Sequence, residues 1–220
     1  MRKIRDFVVY ADSRYYCAFP SIVRRPDGEL IVAFRRAPDR RLMGGTTSHC
    51  DANSQLVLVR SKDNGATWTQ EPELIHSHAL GGSQDPCLCQ LNDNTLLCSS
   101  YLWVLTPPEW PNFLHKANGG NFGFAGGYLV RSDDSRHWQG PLDVPPAPGN
   151  AAQNYLGQPL PAYNRGRMIH ASDGVLYWVV VRWDTTQPRR TSTHLYASKD
   201  RGLTWEYRCP VAADAKASFN

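Results

Sequence analysis

The chain is predicted to be all-β, built from repeated four-stranded antiparallel sheets arranged as the blades of a propeller. Three observations carry that prediction. The eight-residue stretch Ser61-Lys-Asp63-Asn-Gly65-Ala-Thr67-Trp68 returns as Ser198-Lys-Asp200-Arg-Gly202-Leu-Thr204-Trp205. Between them lies a worn copy, Ser132-Asp-Asp134-Ser-Arg-His-Trp138, one residue shorter and without the glycine and threonine, so the tryptophans recur at roughly 70 residues. The rest of the 220 residues holds short β-rich runs between glycine, proline and Asn/Asp turns, with no long segment of helical period.

Each position of the repeat has a local physical role. The aspartate accepts backbone N–H bonds within its own turn, the glycine supplies a positive φ, and the hydroxyl residues tie the turn ends. Tryptophan buries a large ring against whatever the turn packs on. Strand-like runs precede both full copies, Gln55-Leu-Val-Leu-Val-Arg60 and Thr193-His-Leu-Tyr-Ala197, so each copy reads as the tip of a β-hairpin.

Taken in order, residues 3–10 read as a strand outside the first repeat, able to close a ring by joining the last blade. The first unit, residues 17–76, has a strand around residues 19–25, the turn Pro26-Asp27-Gly28, an apolar strand over 30–34, and strands over 55–60 and 67–75. The second, residues 83–145, runs from Asp85-Pro-Cys-Leu-Cys-Gln through the turn at 92–94, a strand over 95–103 and a long loop to 127–131 and the worn copy. The third, residues 155–214, has a strand over 166–171, the turn Ser172-Asp-Gly174, a strand over 175–183, and residues 193–209 around the second full copy. Pro145-Pro-Ala-Pro-Gly149 is a stiff connector between units. Residues 215–220 read as the approach to a further blade.

Composition bounds the function. The net charge of +4 comes from arginines scattered over loops and strand ends, without a lysine-rich run or an RNA-reading motif. That favours a small anionic ligand and gives nucleic acid little weight. No signal peptide or membrane span is evident, because the basic start breaks off at Asp12 before an adequate apolar run. The six cysteines, Cys17, Cys50, Cys87, Cys89, Cys98 and Cys209, read as buried free thiols of a reducing compartment, which favours the cytoplasm. Neither Cys87-Leu-Cys89 nor His76-Ser-His78 has a second pair to complete a metal site, so no metal and no cofactor is expected.

Strand order also sorts the loops. First-to-second and third-to-fourth turns share one end of a blade, the bottom, where the repeated motif falls. Second-to-third loops and the connections between blades share the top. Residues 35–54, 103–126 and 184–192, with connections near 11–18, 76–85 and 146–158, therefore form the face suited to binding. The first loop carries Arg35, Arg36, Asp39, Arg40, Arg41, His49 and Asp51; the second Trp103, Glu109, Trp110 and Lys116; the third Asp184, Arg189 and Arg190. Arginine forks suit a carboxylate and tryptophan faces suit sugar rings, so Arg35, Arg36, His49, Asp85, Trp103 and Trp110 are the candidate substrate-binding residues.

The S-x-D-x-G-x-T-W repeat resembles the Asp-box of the sialidase (neuraminidase) family. The resemblance implies a six-bladed propeller of which this chain holds about three blades, the N-terminal half. It also implies that Ser61, Asp63, Gly65, Trp68, Asp134, Trp138, Ser198, Asp200, Gly202 and Trp205 are scaffold. The family's acid/base aspartate precedes the strand leading into the first Asp-box, a place that Asp51 occupies, or His49 if the alignment slips by two residues. Two departures stand out. Ala18, in Cys17-Ala-Phe-Pro20, replaces the carboxylate-binding arginine, for which Arg35 or Arg36 is a candidate substitute, and the nucleophilic tyrosine, its glutamate and the other arginines belong to later blades. The implied function is a sialidase-like glycosidase, exo-acting on a sugar, possibly an acidic one, and incomplete in this chain. The alternative is a non-catalytic propeller that binds carbohydrate or protein. Three blades leave open sheet faces through which self-association is expected.

Overall fold

The computed structural model describes residues 6–110, 115–117, 120–214 and 216–219. Three antiparallel sheets follow one another along the chain. The first has β1 (Tyr15–Arg24), β2 (Leu30–Pro38), β3 (Gln55–Ser61) and β4 (Glu73–His76) in sequential order. The second is centred on β7 (Leu96–Thr106) and β9 (Gly120–Ser132). On one side β7 takes both β5 (Gly81–Ser83) and β6 (Cys87–Gln90); β10 (Gln139–Leu142) and β8 (His115–Ala117) pair with β9. The third runs β11 (Ile169–His170), β12 (Leu176–Thr186), β13 (Arg189–Ser198) and β14 (Glu206–Ala212). The all-β, blade-like architecture is thus as predicted.

Three local expectations differ. Residues 6–10 form no strand, and 3–5 lie outside the described residues. Instead Val9 and Tyr10 pack by their side chains on Val32, Phe34, Val57 and Val59, the Tyr10 and Phe34 rings 5.1 Å apart. This partly buries Val9 and Tyr10 without entering a ladder, while Phe7 and Val8 stay exposed. The third sheet's first strand is reduced to β11 plus an isolated bridge between Tyr163 and Val181. Its second-to-third connection is a tight hairpin, so Arg189 and Arg190 belong to β13.

Alternation along the strands decides the core. Ile31, Ala33, Leu56 and Leu58 of the first sheet meet Leu96, Cys98, Tyr128 and Val130 of the second, while Leu97 and Leu129, on the opposite face of the second, meet Leu176, Trp178 and Tyr196 of the third. Each repeat tryptophan lies in the turn between third and fourth strands. Trp138 joins the layer between sheets one and two and Trp205 the layer between two and three, its ring 5.7 Å from Trp178. Trp68 packs with Val9 and Tyr10 on the free face of the first sheet. All three therefore fill the side of their sheet that faces backwards along the chain.

The turns close as the motif demands. Asp63 accepts from Ser61 Oγ (2.8 Å), Thr67 N (2.8 Å) and Thr67 Oγ1 (2.6 Å), and Trp68 Nε1 donates to the Gly65 carbonyl (3.2 Å). Asp200 repeats the set with Ser198, Thr204 and the Trp205 bond to Gly202 (3.2 Å). In the worn copy the backbone N–H groups of Arg136 and His137 serve Asp134, and the His137 imidazole, 2.6 Å from Asp134 Oδ2, stands in for the threonine hydroxyl.

The residue before the repeat serine latches neighbouring sheets. Arg60, buried, pairs with Glu29 (2.9 Å) and Glu73 (2.7 Å) and donates to the Ser135 carbonyl of the second sheet's turn. Arg131 repeats the reach, donating to the Arg201 carbonyl of the third sheet's turn at 3.4 Å. Both acceptors are the fourth residue of their turn, at φ 63. In the third copy this position is Ala197.

Of the six cysteines, all free, Cys50, Cys87, Cys89 and Cys98 are buried, whereas Cys209 is exposed because β14 is the outer edge of its sheet.

Candidate functional site

Pro86 interrupts the innermost strand of the second sheet, since it has no N–H to donate to the ladder. The ladder is broken between Ser83 and Cys87, and the intervening Gln84 and Asp85 are buried. The break sets the Asp85 carboxylate against Tyr101 of β7, whose hydroxyl donates to Asp85 Oδ2 at 2.8 Å. Arg165, in the irregular start of the third unit, reaches back to Asp85 Oδ2 (2.6 Å) and to the Tyr101 hydroxyl (3.0 Å). His49, from the loop after β2, places Nε2 3.0 Å from the same hydroxyl.

The donor inventory fixes the protons. A phenol has one proton and two acceptor sites, a carboxylate only accepts, and a guanidinium only donates. Tyr101 therefore gives its proton to Asp85 and accepts from Arg165, so the His49 contact completes the set only if Nε2 carries a hydrogen. Burial, then the negative field of Asp85, pushes the Tyr101 phenol well above its ordinary value. With both oxygen lone pairs engaged, Tyr101 is a hub that orients His49 and Arg165, and it has no lone pair to offer as a nucleophile.

Above this hub lies a cleft of about 740 Å³. Its walls are aromatic: Tyr101 and Trp103 of β7, Phe124 of β9, Tyr163, and Trp183 of β12. Its polar groups are His49, Asn164, Arg165 and Arg189. The Asn164 amide donates to the Val179 carbonyl (2.6 Å) and its oxygen accepts from Arg165 N (2.6 Å), anchoring the segment that carries Arg165. Trp183 Nε1 donates to the Tyr163 hydroxyl at 2.8 Å, and the Arg189 guanidinium stacks on the Trp183 ring at 4.6 Å.

Of the residues expected from the sequence, His49 and Trp103 line this cleft and Asp85 lies beneath it. The others stand elsewhere. Asp51 is buried and clamped by Arg40 through two bonds of 2.8 and 3.0 Å, and it accepts from Asn53 N at 2.9 Å. Burial pushes its pKa up, but the Arg40 and Asn53 bonds outweigh burial and hold it below the ordinary carboxylate value. Such a group is ionised at neutral pH and has no proton to donate. Arg35 is fully buried on the face it shares with its cross-strand partner Ala18, donating to the Ser48 carbonyl (3.1 Å). Burial depresses its pKa, opposed by the charges of Asp51 and Asp85. Arg36 points to the opposite face and covers Tyr15 at 4.5 Å. Trp110 is tied by Nε1 to the Tyr155 carbonyl (2.9 Å) and is not part of the cleft wall. The first loop's cationic surplus is thus largely spent internally, Arg40 on Asp51 and Arg41 on Asp39.

Sequence reasoning missed Tyr101, Tyr163, Arg165 and Trp183. The available signal was the polar Tyr-Asn-Arg-Gly run at 163–166 placed after apolar Leu-Pro-Ala, which reads as ordinary strand lead-in unless its first strand is known to be broken.

No protein-family model and no curated protein sequence matches the chain. Among solved structures it is similar over its whole length to a protein of unknown function from Dyadobacter fermentans DSM 18053, with 49% identity and a TM-score of 0.92. The chain spans 61% of that protein's length. It is also similar to the Hadza microbial sialidase Hz136 (20% identity, TM-score 0.63, 89% of this chain and 38% of that one). A third likeness is to Trypanosoma rangeli sialidase in complex with sialic acid, at 18% identity and a TM-score of 0.54, covering 93% of this chain and 31% of that one. The fold is sialidase-like. It is not confined to sialidases: a PL25 ulvan lyase, a polysaccharide lyase, aligns over 92% of this chain and 46% of its own at 12% identity and a TM-score of 0.56. The sialidase-like sheets of the present chain supply one aromatic cleft at the end of the blades opposite the repeated turns.

Proposed function

We propose that this chain binds carbohydrate in the cleft above Tyr101, as part of a protein that acts on or recognises sugars. The observation that carries the reading is the cleft itself: five aromatic rings facing a cavity of about 740 Å³, with His49, Asn164, Arg165 and Arg189 among them. Flat rings bury the apolar faces of a pyranose, and converging polar groups order its hydroxyls. Structural neighbours that include sialidases and a polysaccharide lyase are consistent with a saccharide ligand. Titration with mono- and disaccharides, followed by tryptophan fluorescence, tests it. Saturable quenching that disappears in Trp183→Leu supports the reading, and the absence of any saccharide response removes it.

A finer reading concerns a longer protein containing this chain: an exo-acting, sialidase-like glycoside hydrolase. It rests on the sialidase-like fold and on the position of Asp51, two residues from the cleft-lining His49. In this reading Asp51 is the acid/base, which requires Arg40 to leave it when substrate binds, because an acid must hold its proton near neutral pH. Loss of turnover in Asp51→Asn, with saccharide binding retained, supports that role. Unchanged turnover assigns Asp51 to holding the His49 loop, and a parent that binds sugar without turning it over favours a recognition module.

A further inference from the structure

We infer that Phe19 is a positioning residue of the cleft: a strained bulge projects its ring onto His49 and so holds His49 against Tyr101 for the saccharide. This rests on the carbohydrate reading and adds to it a residue outside the cleft lining. Among the described residues, four that are not glycine have positive φ. Asn64, Ser135 and Arg201 are the fourth residues of the repeated turns, and Phe19, at φ 58, is the one outside them. A bulky side chain disfavours this region, and so does the proline that follows, which pushes its predecessor toward extended backbone.

The ladder lays down the bulge. Ala18 pairs with Arg35 and Ser21 with Ala33, so Phe19 and Pro20 together oppose Phe34 alone. Bulges that need a left-handed residue ordinarily place glycine there, and bulges beside functional sites re-aim a side chain. Both flanks are tied: Ala18 lies in the β1–β2 ladder, and the Ser21 hydroxyl accepts from Leu88 N of the second sheet at 3.0 Å. A strained conformation persists where its surroundings over-determine it in this way. Glycine would fit the bulge without strain; phenylalanine brings a ring to this point, and the ring meets His49. The two rings stand edge to face, with centroids 5.4 Å apart and planes at 85°. His49 also places Nε2 3.0 Å from the Tyr101 hydroxyl. A hydrogen bond fixes one point of an imidazole, and an edge-to-face contact with a second ring fixes its plane. His49 lines the cleft, so the plane that Phe19 sets is the one a sugar meets. One grip comes from β1 of the first sheet and the other from β7 of the second.

The test uses Phe19→Ala, Phe19→Gly and Phe19→Tyr in the 220-residue chain. Melting separates the strain from the ring. Phe19→Gly should melt about 2–4 °C above Phe19→Ala, the reverse of the usual order, because glycine relieves the positive φ and alanine does not. Binding of glucose, galactose and lactose, followed by tryptophan fluorescence, should weaken about 2- to 12-fold in both variants, the range that an aromatic pair corresponds to. Phe19→Tyr, which keeps the ring, should bind as the native chain does. Imidazole nitrogen NMR at alkaline pH, assigned by the signals lost in His49→Gln, gives a readout independent of sugar. The native chain should show His49 in the Nε2–H form, and Phe19→Ala and Phe19→Gly a mixture of both forms. Affinity that follows melting, higher in Phe19→Gly than in Phe19→Ala, makes Phe19 a structural residue and overturns the inference. Unchanged His49 signals in Phe19→Ala overturn it too, whatever the affinity does, and Phe19→Ala melting at or above Phe19→Gly removes the strained bulge. If the native chain binds none of the three sugars, the carbohydrate reading falls, and the His49 signals alone decide whether Phe19 positions that ring.

Discussion

Replacing Arg60 with methionine removes the buried cation that ties the first sheet to the turn of the second. The side chain is 3% exposed and holds Glu29, itself buried, and Glu73, one third exposed, while crossing to the Ser135 carbonyl of the next sheet. Burial alone would lower the guanidinium pKa, but Glu73 and Glu29 together raise it, so the ion cluster is formed and charged. Methionine fills most of the volume and leaves a buried carboxylate with no counter-ion, a change that typically costs about 3–5 kcal/mol. For a chain of this length about 4 kcal/mol corresponds to a fall in Tm of roughly 8–16 °C. Thermal unfolding by circular dichroism measures it. Arg131→Met is the internal control: its carboxylate partner Asp133 is 59% exposed and its carbonyl contact is 3.4 Å, so about 1 kcal/mol or less is expected. Adding Glu29→Gln and Glu73→Gln to Arg60→Met should recover most of the loss, because no buried charge then remains. A loss below about 1 kcal/mol, or one that the two glutamines leave unchanged, refutes the reasoning.

Acid should loosen the repeated turns. Hydrogen bonds from Thr67, then Ser61, lower the Asp63 pKa to about 2, and at Asp200 the Thr204 bonds outweigh a burial effect of opposite sign. Because the folded value lies below the unfolded one near 3.9, this stability is present above about pH 4 and is lost as pH falls through about 2. The Tm of the native chain should therefore fall more steeply over that window than that of Asp63→Asn, as calorimetry can show. Gly82→Ala should displace the His49–Asp51 loop, since a Cβ there would lie 1.7 Å from the Asp51 carbonyl oxygen; a cost of about 1–3 kcal/mol and weakened saccharide binding are expected in denaturant and fluorescence titrations. The free faces, with Ile169 63% and Val211 54% exposed on the third sheet, should drive self-association that light scattering detects at micromolar concentration, and a monodisperse monomer would contradict this.

The sheets were legible because the repeat announces three hairpin tips and the runs before them alternate in burial as strands do. Ile31 and Ala33 face the second sheet, Val32 and Phe34 the free face on which Val9, Tyr10 and Trp68 pack. The site was only half legible. His49 and Asp85 lie in the loop and inter-blade connection, and Trp103 at the strand end, that the strand order assigns to one end of the blades. Arg35 and Arg36 could not be assigned because adjacent strand residues point to opposite faces, so sequence shows that one is turned away but not which charge is buried. Arg165 was hidden by a broken first strand, and its pairing with Asp85 spans 80 residues, a relation no local pattern encodes. Asp51 occupies the expected stretch, but its partner is Arg40 of the same loop, whose short 3-10 turn folds back onto it.

The most direct measurement is a crystal structure of the chain soaked with a saccharide that fluorescence shows to bind. The sugar ring should lie against Trp183 and Trp103 in the cleft, with its polar substituents on His49, Arg165 or Arg189. A saccharide found instead at the repeated turns, or on the sheet face covered by Arg36, with the cleft empty, would contradict the assignment of the site.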